Sequence, residues 1–312
     1  MRRVSHVRAV WGRIRGPALL AMVTVAAACA APGDTHGPRA TTGAGSLVPV
    51  VVSPILTVGS NRFVYSLLDA ATSEPLARPD RASTVRVRAP GDAVGSALDV
   101  GRSAFIWVID GSRGLYVSRV SFDRPGDWTA DIDLSMPDGS VQVASVTFEV
   151  RQTRPGVAIG DAAPSIDHPT ADDVGDDLSR LTSDTNPSPR LYERSLATAL
   201  AEGRPVLVMF GTPGLCTTGF CAPALEWIKA AAPSAPNVTF VQLESYEMAY
   251  DGARLQPALD AEGRMQASAA SLTYGLASET TVVAIDRTGV IREILDGFAG
   301  RSEIEAAIDL IR

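Results

Sequence analysis

A chain of 312 residues with 46% hydrophobic and 20% charged residues is long enough for two folded units and too apolar to be disordered as a whole. Its net charge of −7 becomes −12 once the first 28 residues, with five arginines and no acid, are set aside, leaving 23 basic against 35 acidic residues. So acidic a surface repels phosphate backbones, which excludes nucleic acid as an expected partner.

At the N-terminus, Arg2, Arg3, Arg8, Arg13 and Arg15 precede an apolar run from Ala18 to Ala28 that only Thr24 interrupts. The run falls short of the roughly 20 residues a membrane-spanning helix needs and fits the core of a signal peptide, expected over residues 1–28. It ends in Val25-Ala26-Ala27-Ala28-Cys29, which resembles the lipobox of bacterial lipoproteins, with Ala26 where Leu or Val is usual. The resemblance implies that Cys29 is lipidated and that a lipid anchor holds the protein on the extracytoplasmic face of the cell membrane. Plain secretion, with cleavage after Ala-x-Ala, is the alternative. Residues 29–46, rich in Ala, Gly, Pro and Thr, read as a flexible tether.

From 47 to 151 the chain reads as short strands between turns. Val85 and Val87 alternate with Arg86 and Arg88, and Ala104–Ile109 is wholly apolar, as in a core strand. Leu115–Phe122, Trp128–Leu134 and Val141–Val150 follow, with Asp138-Gly139 as a hairpin turn. About seven strands in roughly 100 residues predict an all-β immunoglobulin-like sandwich. Tyr116 and Trp128 are read as core residues. The stretch Gly111–Trp128 resembles sandwich modules that precede thioredoxin-like domains in bacterial lipoproteins.

Residues 152–190, with several Pro and Asp, read as a linker or wrapping arm, and His168 as a solvated loop residue. The unit 191–312 then alternates. A helix over Leu191–Glu202 precedes the strand Pro205–Phe210, and a loop and helix run through Lys229. The strand Val238–Leu243, a helical stretch before Tyr274, and the strands Thr281–Ile285 and Val290–Ile294 follow. Asp286–Gly289 is read as a turn, and Ser302-x-x-Glu305 as a capping box opening a last helix. Glu244, Glu247 and Asp251 read as a solvated acidic loop. This order predicts an α/β unit with one sheet between helices.

Chemistry concentrates in Val206-Leu207-Val208-Met209-Phe210-Gly211-Thr212-Pro213-Gly214-Leu215-Cys216-Thr217-Thr218-Gly219-Phe220-Cys221-Ala222-Pro223. An apolar strand delivers two cysteines to the start of a helix, whose amides stabilise a thiolate. Five helical residues rise about 7.5 Å, beyond the usual Cα separation of a disulfide, about 4.4–6.8 Å. Cys216 is therefore expected in the loop, folded back over the turn that holds Cys221. The segment resembles the thioredoxin-like lipoproteins, with a strand, Thr-Pro and C-x4-C-[GA]-P. The resemblance implies a two-domain protein, a sandwich followed by an α/β thioredoxin-like fold. It implies Cys216 and Cys221 as the catalytic pair, with Pro213, Thr217, Thr218 and Thr280 facing substrate. Two departures stand out. Thioredoxins use C-x2-C, and Thr280 stands where they place a cis-proline.

The functional expectation is thiol–disulfide exchange with exported protein thiols or disulfides, making the chain a candidate oxidoreductase. The alternative is a redox-inactive binding module with a structural disulfide. A copper chaperone is a lesser reading, because no histidine follows His168 to supply a third ligand; a peroxidase is weaker still. No cofactor and no metal ligand are expected.

Overall fold

The computed structural model describes residues 39–41, 47–216 and 219–312, and Gly37–Arg312 forms one compact unit. Its first half carries β1 (Arg39–Thr41), β2 (Leu47–Val51), β3 (Gly59–Asp69), β4 (Ser83–Arg88), β5 (Leu98–Arg102), β6 (Ala104–Ile109), β7 (Arg113–Phe122), β8 (Gly126–Ser135) and β9 (Val141–Val150). These strands pair antiparallel in two sheets, ordered β1-β9-β8-β4-β5 and β2-β3-β7-β6. Between the sheets lies a core that includes Phe63, Tyr65, Tyr116, Phe122, Trp128 and Phe148. The β8–β9 turn is built as its Asp-Gly pair predicts. The Asp138 carboxylate accepts the Ser140 N–H at 2.9 Å, and Gly139 takes a φ of 84° that a side chain would resist.

The second half carries β10 (Val206–Phe210), β11 (Thr239–Leu243), β12 (Met248–Tyr250), β13 (Leu255–Pro257), β14 (Thr281–Ile285) and β15 (Ile291–Asp296). Its helices are α1 (Leu196–Ala201), α2 (Cys221–Ala231), α3 (Ala269–Tyr274) and α4 (Arg301–Ile311). A four-stranded sheet runs β11-β10-β14-β15, and β12 pairs with β13 in a separate ribbon. Period-2 alternation sends Leu207, Met209, Val282 and Ala284 toward α2 and α4, and Val206, Val208, Val283 and Ile285 toward α1 and Tyr274. Segment 152–190 lies along this half, with Val157 and Ala171 buried in its two cores.

The expected α/β thioredoxin-like fold over 191–312 is overturned. Strands dominate the described residues in four sheets, helices of every kind occupy only 18%, and the fold is largely all-β. Only β10 and β11 pair in parallel within the four-stranded sheet. Helix is scarcer than periodicity suggests, because Gly252 and Gly263, both at positive φ, break the stretch before α3 into the β12–β13 ribbon and short bridges. The capping box also shifts. Glu303, rather than Glu305, accepts the N–H of the N-cap residue Gly300 at 3.1 Å. No helix among the described residues is long and apolar enough to cross a membrane.

One feature of the sandwich positions the site. The sheet β2-β3-β7-β6 is covered on both faces. Its inner face carries Phe63, Tyr65, Tyr116 and Phe122, while Val64, Ile106, Val108, Leu115 and Val117 face outward onto Phe220 and Phe298 of the second half. That double burial explains why Ala104–Ile109 has no polar face, although β6 is an edge strand. Three ion pairs flank the same seam, Arg62–Glu303, Arg119–Glu293 and Arg154–Asp296.

Candidate functional site

Strand β10 is buried along its whole length and ends in a loop, 211–220, that returns the chain to the start of α2. Small, polar neighbours hold this loop. The Gln242 amide donates to the Gly211 carbonyl at 2.8 Å, and the buried Thr212 hydroxyl accepts the Ser245 N–H at 3.1 Å. Thr212 to Leu215 closes a turn with a 3.0 Å bond, and half-buried Pro213 sits at its second position, where its fixed φ fits. Gly214 donates to the Ser183 hydroxyl at 3.1 Å, and a Cβ there would meet the Ser183 carbonyl at 2.4 Å. Gly219 takes a φ of 75°, which turns the chain back toward the helix.

Behind the loop, Glu244 accepts the Ser183 N–H at 2.6 Å, and the Ser183 and Thr182 hydroxyls. Glu244 is half-buried, and burial raises its pKa, opposed by those bonds. It is a bracket for the thiol loop rather than the solvated acid expected. His168 likewise is half-buried, and its Nε2 accepts the Leu196 N–H at the start of α1 at 3.0 Å.

The fold-back predicted from the cysteine spacing is present. Cys221 opens α2 and is fully buried, while Cys216 is half-buried on the loop against the core that includes Cys221. The Cys221 N–H donates to the Cys216 sulfur at 3.3 Å. The two stand as thiols rather than as a disulfide. The Thr280 hydroxyl, also buried, lies 3.0 Å from the Cys221 sulfur. The hydrogen bond with Cys216 and burial push the Cys221 thiol far up, and Thr280 opposes them. Thr280 thus meets the buried thiol, from the segment leading into β14.

Two neighbours have no counterpart in the sequence reading. The Glu279 carboxylate and both sulfurs lie within 4.8 Å of one another. Tyr246 is half-buried beside them, and burial first, then Glu279 and the two sulfurs, raise its hydroxyl pKa. Neither residue carries a local motif, so only a tertiary contact reveals it. Phe220 is the third omission. Only 8% exposed, it packs on Phe298 at 4.3 Å between ring centroids, under the Arg113 guanidinium and against Ile106 and Val108 of β6. The residue preceding Cys221 is therefore seated on the sandwich. Cys29, Thr217 and Thr218 lie outside the described residues.

No protein-family profile matches the chain, and no curated protein does. Among solved structures, the soluble domain of PmoD from Methylocystis sp. is similar at 17% identity with a TM-score of 0.23, over 38% of this chain and 99% of that one.

Proposed function

We propose that the protein carries out thiol–disulfide exchange through Cys216 and Cys221. The observation that carries this reading is the asymmetry of the pair. Cys216 is reachable and accepts a helix N-terminal N–H, which stabilises a thiolate, whereas Cys221 is buried and held as a thiol. The Cys216 thiolate attacks one sulfur of a substrate disulfide, whose S–S bond breaks and whose other sulfur leaves as a thiolate. The Cys221 thiol then gives up its proton, which ends on one of the two departing substrate sulfurs, and attacks the Cys216 sulfur. The second substrate thiol is released, two electrons have passed to the substrate, and Cys216 and Cys221 are joined. Run backward, the same steps oxidise a dithiol. The signal-like N-terminus and Cys29 support an extracytoplasmic, lipid-anchored setting with exported protein thiols or disulfides as substrates, a compartment where disulfides persist.

Cys221→Ser should trap a mixed disulfide between Cys216 and a model protein disulfide, visible as a reducible adduct on a non-reducing gel. Cys216→Ser should form none. Adducts through Cys221 in the Cys216→Ser protein would contradict the assignment.

A further inference from the structure

We propose that Cys216, Cys221 and Glu279 form a three-ligand site for a thiophilic divalent cation of the zinc class. The donor atoms come from three separate places: the thiol loop, the first residue of α2 and the segment before β14. All three lie within 4.8 Å of one another. A tetrahedral ion with sulfur at about 2.3 Å and oxygen at about 2.0–2.2 Å brings such donors to roughly 3.5–3.8 Å apart. The three donors therefore stand within about 1 Å of that spacing. Two thiolates and one carboxylate leave a fourth position for water, the pattern of an open zinc site rather than a closed structural one.

The surroundings are those of a supported site. The Glu279 backbone is pinned, its carbonyl accepting the Ser245 hydroxyl at 2.6 Å. The Thr280 hydroxyl touches the Cys221 sulfur and serves as the outer partner that metal ligands usually have. Cys221 is fully buried, and a thiolate there is costly unless a cation faces it. The third ligand that the sequence reading lacked is in this proposal a carboxylate, supplied from the segment before β14 rather than by a histidine. The site needs the two cysteines reduced and does not depend on exchange activity.

The test titrates the full chain, reduced with a phosphine, with Co(II) and then Zn(II). The proposal expects one Co(II) per chain, with thiolate charge-transfer absorption and tetrahedral visible bands that Zn(II) abolishes. Cys216→Ser should lose the charge-transfer bands. Glu279→Gln, checked for an unchanged far-UV spectrum and two titratable thiols, should weaken binding at least about tenfold, the scale seen when even a supporting partner is removed. Absence of the bands in the wild-type chain, or equal affinity in Glu279→Gln, overturns the site. So does binding of Cu(I) alone with no effect of Glu279→Gln. Disulfide-reduction assays on the same samples fail or succeed separately, so loss of the exchange reading and loss of the metal site are distinguished.

Discussion

At the scale of single residues, what the spacing of the cysteines dictates and what it does not are both visible. A five-residue step from Cys216 to Cys221 along a helix exceeds the span that a disulfide can bridge, so the fold-back of Cys216 was legible in the sequence. Glu279 and Tyr246 near the thiols, and the seating of Phe220 on the sandwich, were not, because packing leaves no trace in local spacing. Phe220 shows the consequence. Phe220→Ala removes the ring that fixes the thiol loop to the sandwich, and should cost about 3 kcal/mol, as buried aromatic truncations do. It should also speed alkylation of Cys216, measured against the wild type under the same reductant. His168 gives a pH signature. Burial lowers its pKa below the ordinary 6.5, and its neutral Nε2 accepts the Leu196 N–H. The unfolded chain therefore binds this proton more readily, and stability is full above about pH 6.5 and declines as pH falls toward the lowered pKa. Urea titrations between pH 7 and 5 should show this slope, and His168→Gln should flatten it.

At the scale of elements, alternation predicted the strands well. Val85 and Val87 on β4 are buried with Arg86 and Arg88 outward, and Asp138-Gly139 makes the β8–β9 turn. Helices were less legible, since α1 and α3 span only six residues each and depend on packing more than on propensity. The start of α4 turns on Glu303, which caps the helix and also binds Arg62 of β3 through two 2.6 Å bonds. Both partners are largely buried, at 7% and 16% exposure. Glu303→Gln should therefore destabilise by about 3 kcal/mol, because it strands a buried guanidinium. Arg62→Met combined with Glu303→Gln should lose less than the two single losses added together. Denaturant midpoints for the three variants check this.

At the scale of the whole molecule, the sandwich and the thiol-bearing half are not beads on a string. The β2-β3-β7-β6 sheet is a middle layer, and its outward Val64, Ile106, Val108, Leu115 and Val117 need the second half to cover them. Read residue by residue, an apolar strand such as β6 signals burial but cannot name what buries it, so the stacking was not legible and a two-domain, α/β-terminated architecture was the natural reading. A fragment of residues 47–151 should bind a hydrophobic dye such as ANS strongly and aggregate, while the full chain should not. This arrangement ties the start of α2 to the sandwich, because Phe220, the residue before Cys221, is seated on it.

The reduction potential of Cys216–Cys221 in the full chain, read by thiol trapping across a glutathione series, tests the exchange reading most directly. An exchange pair should show a potential of roughly −120 to −270 mV, the range of known exchange proteins, with Cys216 the first thiol trapped. A potential below about −300 mV with slow exchange would mark a structural bond and contradict it.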